Sequence, residues 1–168
     1  ELFKRILEIE PSNLPAKWGV VECLRREHQC QDCQERLEAI IKKMPGFAPA
    51  YITLAYLTYL DKDFEKTARL SYRVVKMGKD NVDLENYVRA LGLFAGAKGM
   101  IAHYGGPLSK VINGRLVMPY LKKAEKIAPE SAVVYFGFGS YYLLTPAVFG
   151  RNLDKAQEYL KKAIEADP

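Results

Sequence analysis

The stretch APAYITLAYLTYLDKDFEKTARLSYRVVKMGKDN, residues 48–81, decides the fold. It contains two apolar patterns with the spacing of amphipathic helices, separated by a polar turn at residues 61–63. The first pattern consists of Tyr51, Leu54, Ala55 and Thr58, and the second of Phe64, Thr67, Ala68, Ser71, Val74 and Val75. The turn supplies aspartates that can cap the second helix. Neither helix can bury its apolar stripe alone, so the pair predicts helical neighbours on both sides.

Prolines at the ends of apolar helices give the period of the chain. The interval from Pro11 to Pro45 equals the length of the stretch at residues 48–81. The same interval, counted on from Pro45, reaches Lys79. A period of about 34 residues is typical of helical repeat proteins. The next two intervals, from Lys79 to Pro129 and from Pro129 to Pro168, are longer than this period. The sequence therefore predicts a regular array with two insertions, of which the first is the larger.

In this unit a small residue and a large aromatic residue open the first helix, and an aromatic residue follows the turn. The pattern resembles the tetratricopeptide repeat (TPR) family. The resemblance implies an all-α fold, a right-handed α-α solenoid of helix-turn-helix repeats in which the first helix (helix A) lines the concave face. We expect one repeat domain over residues 1–168, consisting of a partial repeat at 1–13 and repeats at 14–47, 48–81, 82–131 and 132–168. Since the chain begins inside a helix, we also expect further repeats of the parent chain before Glu1 and beyond Pro168.

The third complete repeat departs most from the pattern. We expect its helix A at residues 82–97, then an inserted loop at 98–114 with a short helix from Pro107, because glycines cluster there. Helix B should resume near Arg115 and carry Pro119 in its first turn. In the last repeat, residues 132–144 are apolar on all sides, which predicts a helix buried on most sides.

Composition narrows the function. Nearly half of the 168 residues are apolar, at 49%, which argues against disorder. The net charge is only +5, and many lysines fall on the solvent side of helix B, which favours a solvated face over a nucleic-acid interface. No apolar run approaches the ~20 residues of a transmembrane helix. The sequence does not decide between the cytoplasm and the bacterial periplasm.

All three cysteines and one histidine lie in the first complete repeat. Cys23, His28, Cys30 and Cys33 have the residue types of a zinc site, and the Cys30–Cys33 pair also suits a redox motif. Packing explains the same residues, because cysteine behaves as a small hydrophobe and Cys33 falls in register with Thr67 of the next repeat. We favour packing, expect no metal or cofactor, and leave the disulfide question open.

No catalytic constellation is visible. His28 and His103 lie far apart and belong to no nucleophile or metalloprotease motif. The carboxylates fall on solvent-facing helix positions as ion-pair partners. We therefore expect a protein that is not an enzyme.

The TPR resemblance places candidate partner-binding residues on the concave face. They are Trp18, Glu22, Arg25, Arg26, Ile52, Tyr56, Tyr59, Phe136 and Ser140. Chaperone-binding TPR proteins carry a lysine and asparagine clamp, and Trp18 and Glu22 occupy two clamp positions here, so that clamp is absent. An aromatic groove with a cationic edge at Arg25 and Arg26 remains. Alternatively, neighbouring repeats cover these aromatic residues.

Two functions follow from these observations. The first is a protein-interaction scaffold that holds a peptide segment or a partner helix in the concave groove. The second rests on the long insertion and on the turn at residues 145–150, which together resemble TPR proteins of the bacterial envelope, including an accessory component of solute transporters. In that case a small ligand would occupy an enclosed pocket bordered by residues 104–108, whereas a continuous open groove favours the scaffold.

Overall fold

The computed structural model describes residues 1–29 and 31–167. Over these residues the chain forms nine α-helices and one short 3₁₀ turn at Ala147–Phe149, with no β-strand. The helices are α1 (Leu2–Ile9), α2 (Leu14–Arg26), α3 (Cys33–Lys43), α4 (Ala48–Leu60), α5 (Phe64–Met77), α6 (Leu84–Tyr104), α7 (Pro107–Ile127), α8 (Ala132–Leu144) and α9 (Leu153–Ala166). The predicted all-α fold is confirmed.

The helices form two rows. Each helix contacts its neighbours in the chain, and α2, α4, α6 and α8 also contact one another in succession. Within the described ranges, the backbones of α3, α5, α7 and α9 do not pack against one another, although Lys66 of α5 reaches across to pair with Glu38 of α3 at 2.8 Å. Helices that touch lie on the inside of a curved array, whereas helices that are splayed apart lie on the outside. The row α2, α4, α6 and α8 therefore forms the concave side.

The main core lies between α4 and α8. Val74, Ala90, Leu91, Leu121 and Val134 are at most 1% exposed, and they belong to one cluster that joins five successive helices. A fully buried leucine or valine side chain contributes roughly 1.5–3 kcal/mol through the hydrophobic effect. A smaller cluster of Val21, Leu37, Ile40 and Leu54 holds α2, α3 and α4 together.

Short polar side chains start the helices where the sequence predicts turns. The Asp63 carboxylate accepts a hydrogen bond from the Lys66 backbone N–H at 2.9 Å, which confirms the turn between α4 and α5. Asn152 caps α9 in the same way through the Lys155 backbone N–H, also at 2.9 Å. Each cap satisfies a backbone donor that has no partner within its own helix.

The predicted loop at residues 98–114 is wrong, although the helix start predicted at Pro107 is confirmed. α6 continues to Tyr104 and α7 begins at Pro107, so the insertion lengthens both helices of a hairpin and leaves only residues 105–106 outside them. Of the glycines that suggested a loop, Gly105 and Gly106 do form the connection, whereas Gly99 and Gly114 lie inside the helices and next to the opposite helix. A Cβ at Gly99 would lie 3.7 Å from Val117 Cγ2, and a Cβ at Gly114 would lie 3.9 Å from Ala102 Cβ. Tertiary packing outweighs the low helix propensity of glycine here.

Two further expectations need correction. Pro119 lies in the interior of α7 and not in a first turn, because α7 begins at Pro107. α8 is not buried on most sides, since Phe136 is 59% exposed and Leu143 and Leu144 are 44% and 42% exposed. Only Val134, Phe138 and Gly139 of α8 are buried, so many of its apolar side chains lie on an exposed face of the helix.

The cysteines do not behave alike. Cys33 is 2% exposed and lies in one buried cluster with Val21, Leu37 and Leu54, so its predicted burial is confirmed, but it is disulfide-bonded and not the free cysteine of the packing interpretation. That interpretation is wrong for Cys23, whose side chain is exposed. The prediction for Cys30 lies outside the described residues. Among the residues that are described, no three His, Cys, Asp or Glu side chains are close enough to share a metal ion.

Candidate functional site

A polar network joins α2 to α4 on the concave side. The half-buried Trp18 donates its indole N–H to Thr53 Oγ1 at 2.9 Å, and Thr53 donates its hydroxyl to Glu22 Oε2 at 3.0 Å. The Trp18 ring also packs edge-on against Phe47 with 5.7 Å between ring centroids. These contacts fix the orientation of Trp18 and Glu22, so both residues hold repeats together.

Glu22 is the centre of this network. Its carboxylate accepts hydrogen bonds from Arg25 at 2.6 Å and from Arg26 at 2.9 Å, and the Arg25 guanidinium lies 5.5 Å from the centroid of the Tyr56 ring. Burial raises the pKa of Glu22, but the hydrogen bonds from Arg25, Arg26 and Thr53 outweigh it and lower the pKa to about 2. Glu22 therefore offsets part of the positive charge expected at Arg25 and Arg26.

α4 contributes the next three predicted residues, and one of them is inaccessible. Ile52 is only 2% exposed and belongs to the main core, so the expectation that it contacts a partner needs correction. Tyr56 and Tyr59 are half-buried and face the groove. Burial raises the pKa of both tyrosines, so both hydroxyls stay protonated at neutral pH.

A large cavity lies on the concave side between α4, α6, α7, α8 and α9, and we call it the groove cavity. Its volume is about 1160 Å³. Predicted residues Tyr56, Tyr59, Phe136 and Ser140 line it together. Several other large apolar side chains share the lining, including Leu93, Met100, Val111, Leu144, Phe149 and Ile164.

Glycines shape the groove cavity. A Cβ at Gly92 would lie 2.5 Å from Val133 Cγ1, so glycine permits the close approach of α8 to α6. A Cβ at Gly137 would lie 2.5 Å from Leu121 Cδ2, so this glycine permits an equally close approach of α8 to α7. Gly96 instead lines the open space, and its nearest neighbour for an added Cβ is Tyr59 Cε2 at 3.6 Å.

Charged side chains at the groove cavity come from residues that the sequence patterns did not single out. Lys110, Arg115 and Arg151 line it, and we call these three residues the cationic rim. His103 and Asp167 also line the cavity. The repeat pattern assigns groove positions to helix A only. It therefore could not predict that residues of α7 and of the turn before α9 line the cavity. One feature of the sequence could have indicated a cationic site, because the insertion at residues 98–114 contains no aspartate or glutamate.

The structure thus sorts the predicted residues into three groups. Trp18, Glu22, Arg25 and Arg26 belong to the polar network, and Ile52 lies in the core. The groove cavity brings together Tyr56, Tyr59, Phe136 and Ser140. Residues 104–108, which would have bordered an enclosed pocket, are not among its lining residues.

In the described part of the chain, no helix combines the length and the hydropathy that crossing a bilayer requires.

Comparisons with known proteins identify the fold. No protein-family model and no curated protein matches the sequence. TTC0263, a thermophilic TPR protein of Thermus thermophilus, is similar in structure with a TM-score of 0.74 at 17% sequence identity, over 92% of this chain and 75% of that chain. The crystal structure of MamA is similar with a TM-score of 0.62, also at 17% identity, over 98% of this chain and 84% of that chain. The paired helices, their concave row and these similarities show that the chain has the helical-repeat fold of tetratricopeptide-repeat proteins.

Proposed function

We propose that this protein is a non-catalytic interaction scaffold whose groove cavity holds an apolar helical segment of a partner protein. The observation that carries the proposal is the cavity itself, about 1160 Å³ in volume and lined by apolar side chains. Pockets for small molecules measure about 300–1,000 Å³. A helix about 10–12 Å wide with a rise of about 1.5 Å fills roughly 120–170 Å³ per residue, so the cavity accommodates about seven to ten residues, or two to three turns.

The lining supports an apolar occupant. Phe136, Phe149 and Ile164 are 59%, 66% and 68% exposed, although each is large and apolar. Contiguous apolar surface of this kind marks an interaction site in soluble proteins. Aromatic side chains also contribute most of the binding energy at many protein interfaces.

The same exposure favours a macromolecular segment over the small ligand of an envelope transport system. A small-molecule site buries most of its ligand within enclosing walls. Here residues 104–108 do not close the cavity, and Phe149 and Ile164 remain largely exposed to solvent.

A pair of matched glycine variants tests the proposal. Gly96→Leu places a side chain inside the groove cavity, whereas Gly46→Leu adds the same side chain at a site where a Cβ meets nothing within 4 Å. Partners would be captured from extract of the source organism with tagged wild type and both variants, and the captured protein would then be mapped to a short segment by peptide array. We expect Gly96→Leu to weaken binding of that segment at least tenfold and Gly46→Leu to leave it unchanged.

Circular dichroism and thermal unfolding would confirm that both variants fold. Equal binding by a folded Gly96→Leu variant and by the wild type would show that the groove cavity is not the binding site.

A further inference from the structure

The charge of this chain is unevenly distributed. Residues 86–124, which make up most of the α6–α7 hairpin, contain no aspartate or glutamate. They contain six cationic side chains, namely Arg89, Lys98, Lys110, Arg115, Lys122 and Lys123. The remaining chain then has 25 − 6 = 19 lysines and arginines against 20 acidic residues, so the whole positive excess lies in this one stretch.

Two of these six cations line the groove cavity, and Arg151 joins them from the turn before α9. Lys110, Arg115 and Arg151 are all exposed, and no ion pair within the described residues includes any of them. By contrast, Arg25 is held by Glu22, and Arg89 is held by Glu85. The concave face therefore has neutralised arginines at its α2 end and unneutralised cations at the groove cavity.

The unpaired cations lie on two walls of the same space. Lys110 and Arg115 project from α7, while Arg151 follows the 3₁₀ turn on the α8–α9 side. Asp167 is the acidic side chain in the lining, so the charge around the cavity is positive overall. A segment seated on the apolar lining would present its flanks to cations on both sides.

We propose that the occupant of the groove cavity is an acidic amphipathic helix. Its apolar side packs on residues such as Tyr59 and Phe136, and its aspartates or glutamates pair with the cationic rim. Arginine guanidinium groups bind carboxylates through two parallel hydrogen bonds, which adds orientation to attraction. This inference rests on the proposed function and adds to it the chemistry of the partner.

Display of a helical peptide library tests the inference on the full chain. Each peptide of about 14 residues, or four turns, keeps a fixed apolar stripe, and its polar positions are drawn equally from Glu, Lys, Gln and Ser. We expect selection on the wild type to enrich Glu at the polar positions about threefold over the input library. Affinity of the selected peptides should fall about tenfold between low and moderately high salt, because salt screens exposed charges beyond a Debye length of about 8 Å at physiological ionic strength.

The triple variant Lys110→Glu, Arg115→Glu, Arg151→Glu should reverse the preference and enrich Lys. The control is the triple variant Lys42→Glu, Lys43→Glu, Lys161→Glu, which changes the net charge equally at exposed positions outside the cavity lining. It should keep the preference for Glu.

Three outcomes would contradict the acidic partner, and one of them would also contradict the proposed function. Enrichment on the wild type without a preference for Glu would leave the groove as a binding site but contradict the acidic partner. Enrichment that is equal on wild type and on Gly96→Leu would contradict the proposed function itself. Sedimentation of the wild type, but not of the rim variant, with vesicles containing about 30% phosphatidylglycerol would assign the cations to a membrane surface instead.

Discussion

Glu22 illustrates how single residues on the concave face hold the array together. Its carboxylate receives hydrogen bonds from two arginines of its own helix and from Thr53 of α4, and Thr53 in turn receives the Trp18 indole N–H. Hydrogen bonds to a charged group are stronger than those between neutral groups. The network therefore stabilises the contact between α2 and α4, and it is sensitive to the charge of Glu22.

Glu22→Gln should weaken this contact. Glu22 keeps a pKa of about 2 in the folded chain, below the usual range for glutamate, so its contribution to stability is present above about pH 4.5 and is lost as the pH falls towards 2. Allowing for screening by solvent, we expect Glu22→Gln to lower the free energy of unfolding at pH 7 by about 1–2 kcal/mol. Urea unfolding of both proteins at several pH values measures the difference, which should shrink between pH 4.5 and pH 2. A difference that stays constant to pH 2 would contradict this role.

Gly139 gives a second prediction at the residue scale. An added Cβ would lie 2.7 Å from Leu160 Cγ and 3.2 Å from the Leu160 backbone nitrogen, so α8 and α9 would have to separate. We expect Gly139→Ala to destabilise the protein by about 1–3 kcal/mol, as overpacking does in other cores. Thermal unfolding measures the effect, with Gly46→Ala as control because a Cβ there meets nothing within 4 Å. Equal melting temperatures for the two variants would rule out tight packing at Gly139.

Among the elements, the α6–α7 hairpin departs most from a regular repeat. Its two helices run over Leu84–Tyr104 and Pro107–Ile127, and their inserted turns supply Met100, Lys110 and Val111 to the groove cavity. The insertion therefore builds one wall of the proposed binding site. The α7 helix does so with a proline, Pro119, in its interior.

Pro119→Ala should stabilise the protein. Proline has no backbone N–H, so the carbonyl of Arg115 lacks its usual helical hydrogen bond, and interior proline costs a helix about 3 kcal/mol or more. Pro119 is exposed, so its replacement leaves no cavity, and we expect a gain of about 1–2 kcal/mol. Chemical denaturation measures the gain. A loss of stability would mean that the backbone geometry set by Pro119 is required for α7 to pack against α6 and α8.

The sequence predicted those elements whose signals are local. Alternating helix and turn signals located α2, α4, α5, α8 and α9, because caps such as Asp63 and Asn152 act within one turn. It failed at residues 98–114, because Gly99 and Gly114 lie inside helices that pack on each other, and this packing is not encoded in the local sequence. It also failed at the cationic rim, because the position of Arg151 and Lys110 around one cavity depends on how separate helices pack.

At the scale of the molecule, stability should vary along the array. Among the described residues, α1 has no buried residue and packs on α2 alone, whereas α6 has nine buried residues and contacts α4, α5, α7 and α8. Repeat arrays unfold locally because each unit is held only by its neighbours. We expect amide hydrogens of α1 to exchange at least about 100-fold faster than those of α6, measured by hydrogen exchange and mass spectrometry. Uniform protection would indicate a single cooperative unit.

The proposed role of the concave groove cavity is to hold a segment of a partner protein. Site-specific photocrosslinking tests it most directly, with a photoreactive phenylalanine analogue placed at Phe136 in the groove cavity or, as control, at Tyr72 on α5, which is 37% exposed and outside the cavity. We expect the chain labelled at Phe136 to form a discrete adduct with one partner, at a short helical segment, and the chain labelled at Tyr72 to form none. An adduct of the same partner formed from Tyr72 and not from Phe136 would show that the groove cavity does not hold the partner.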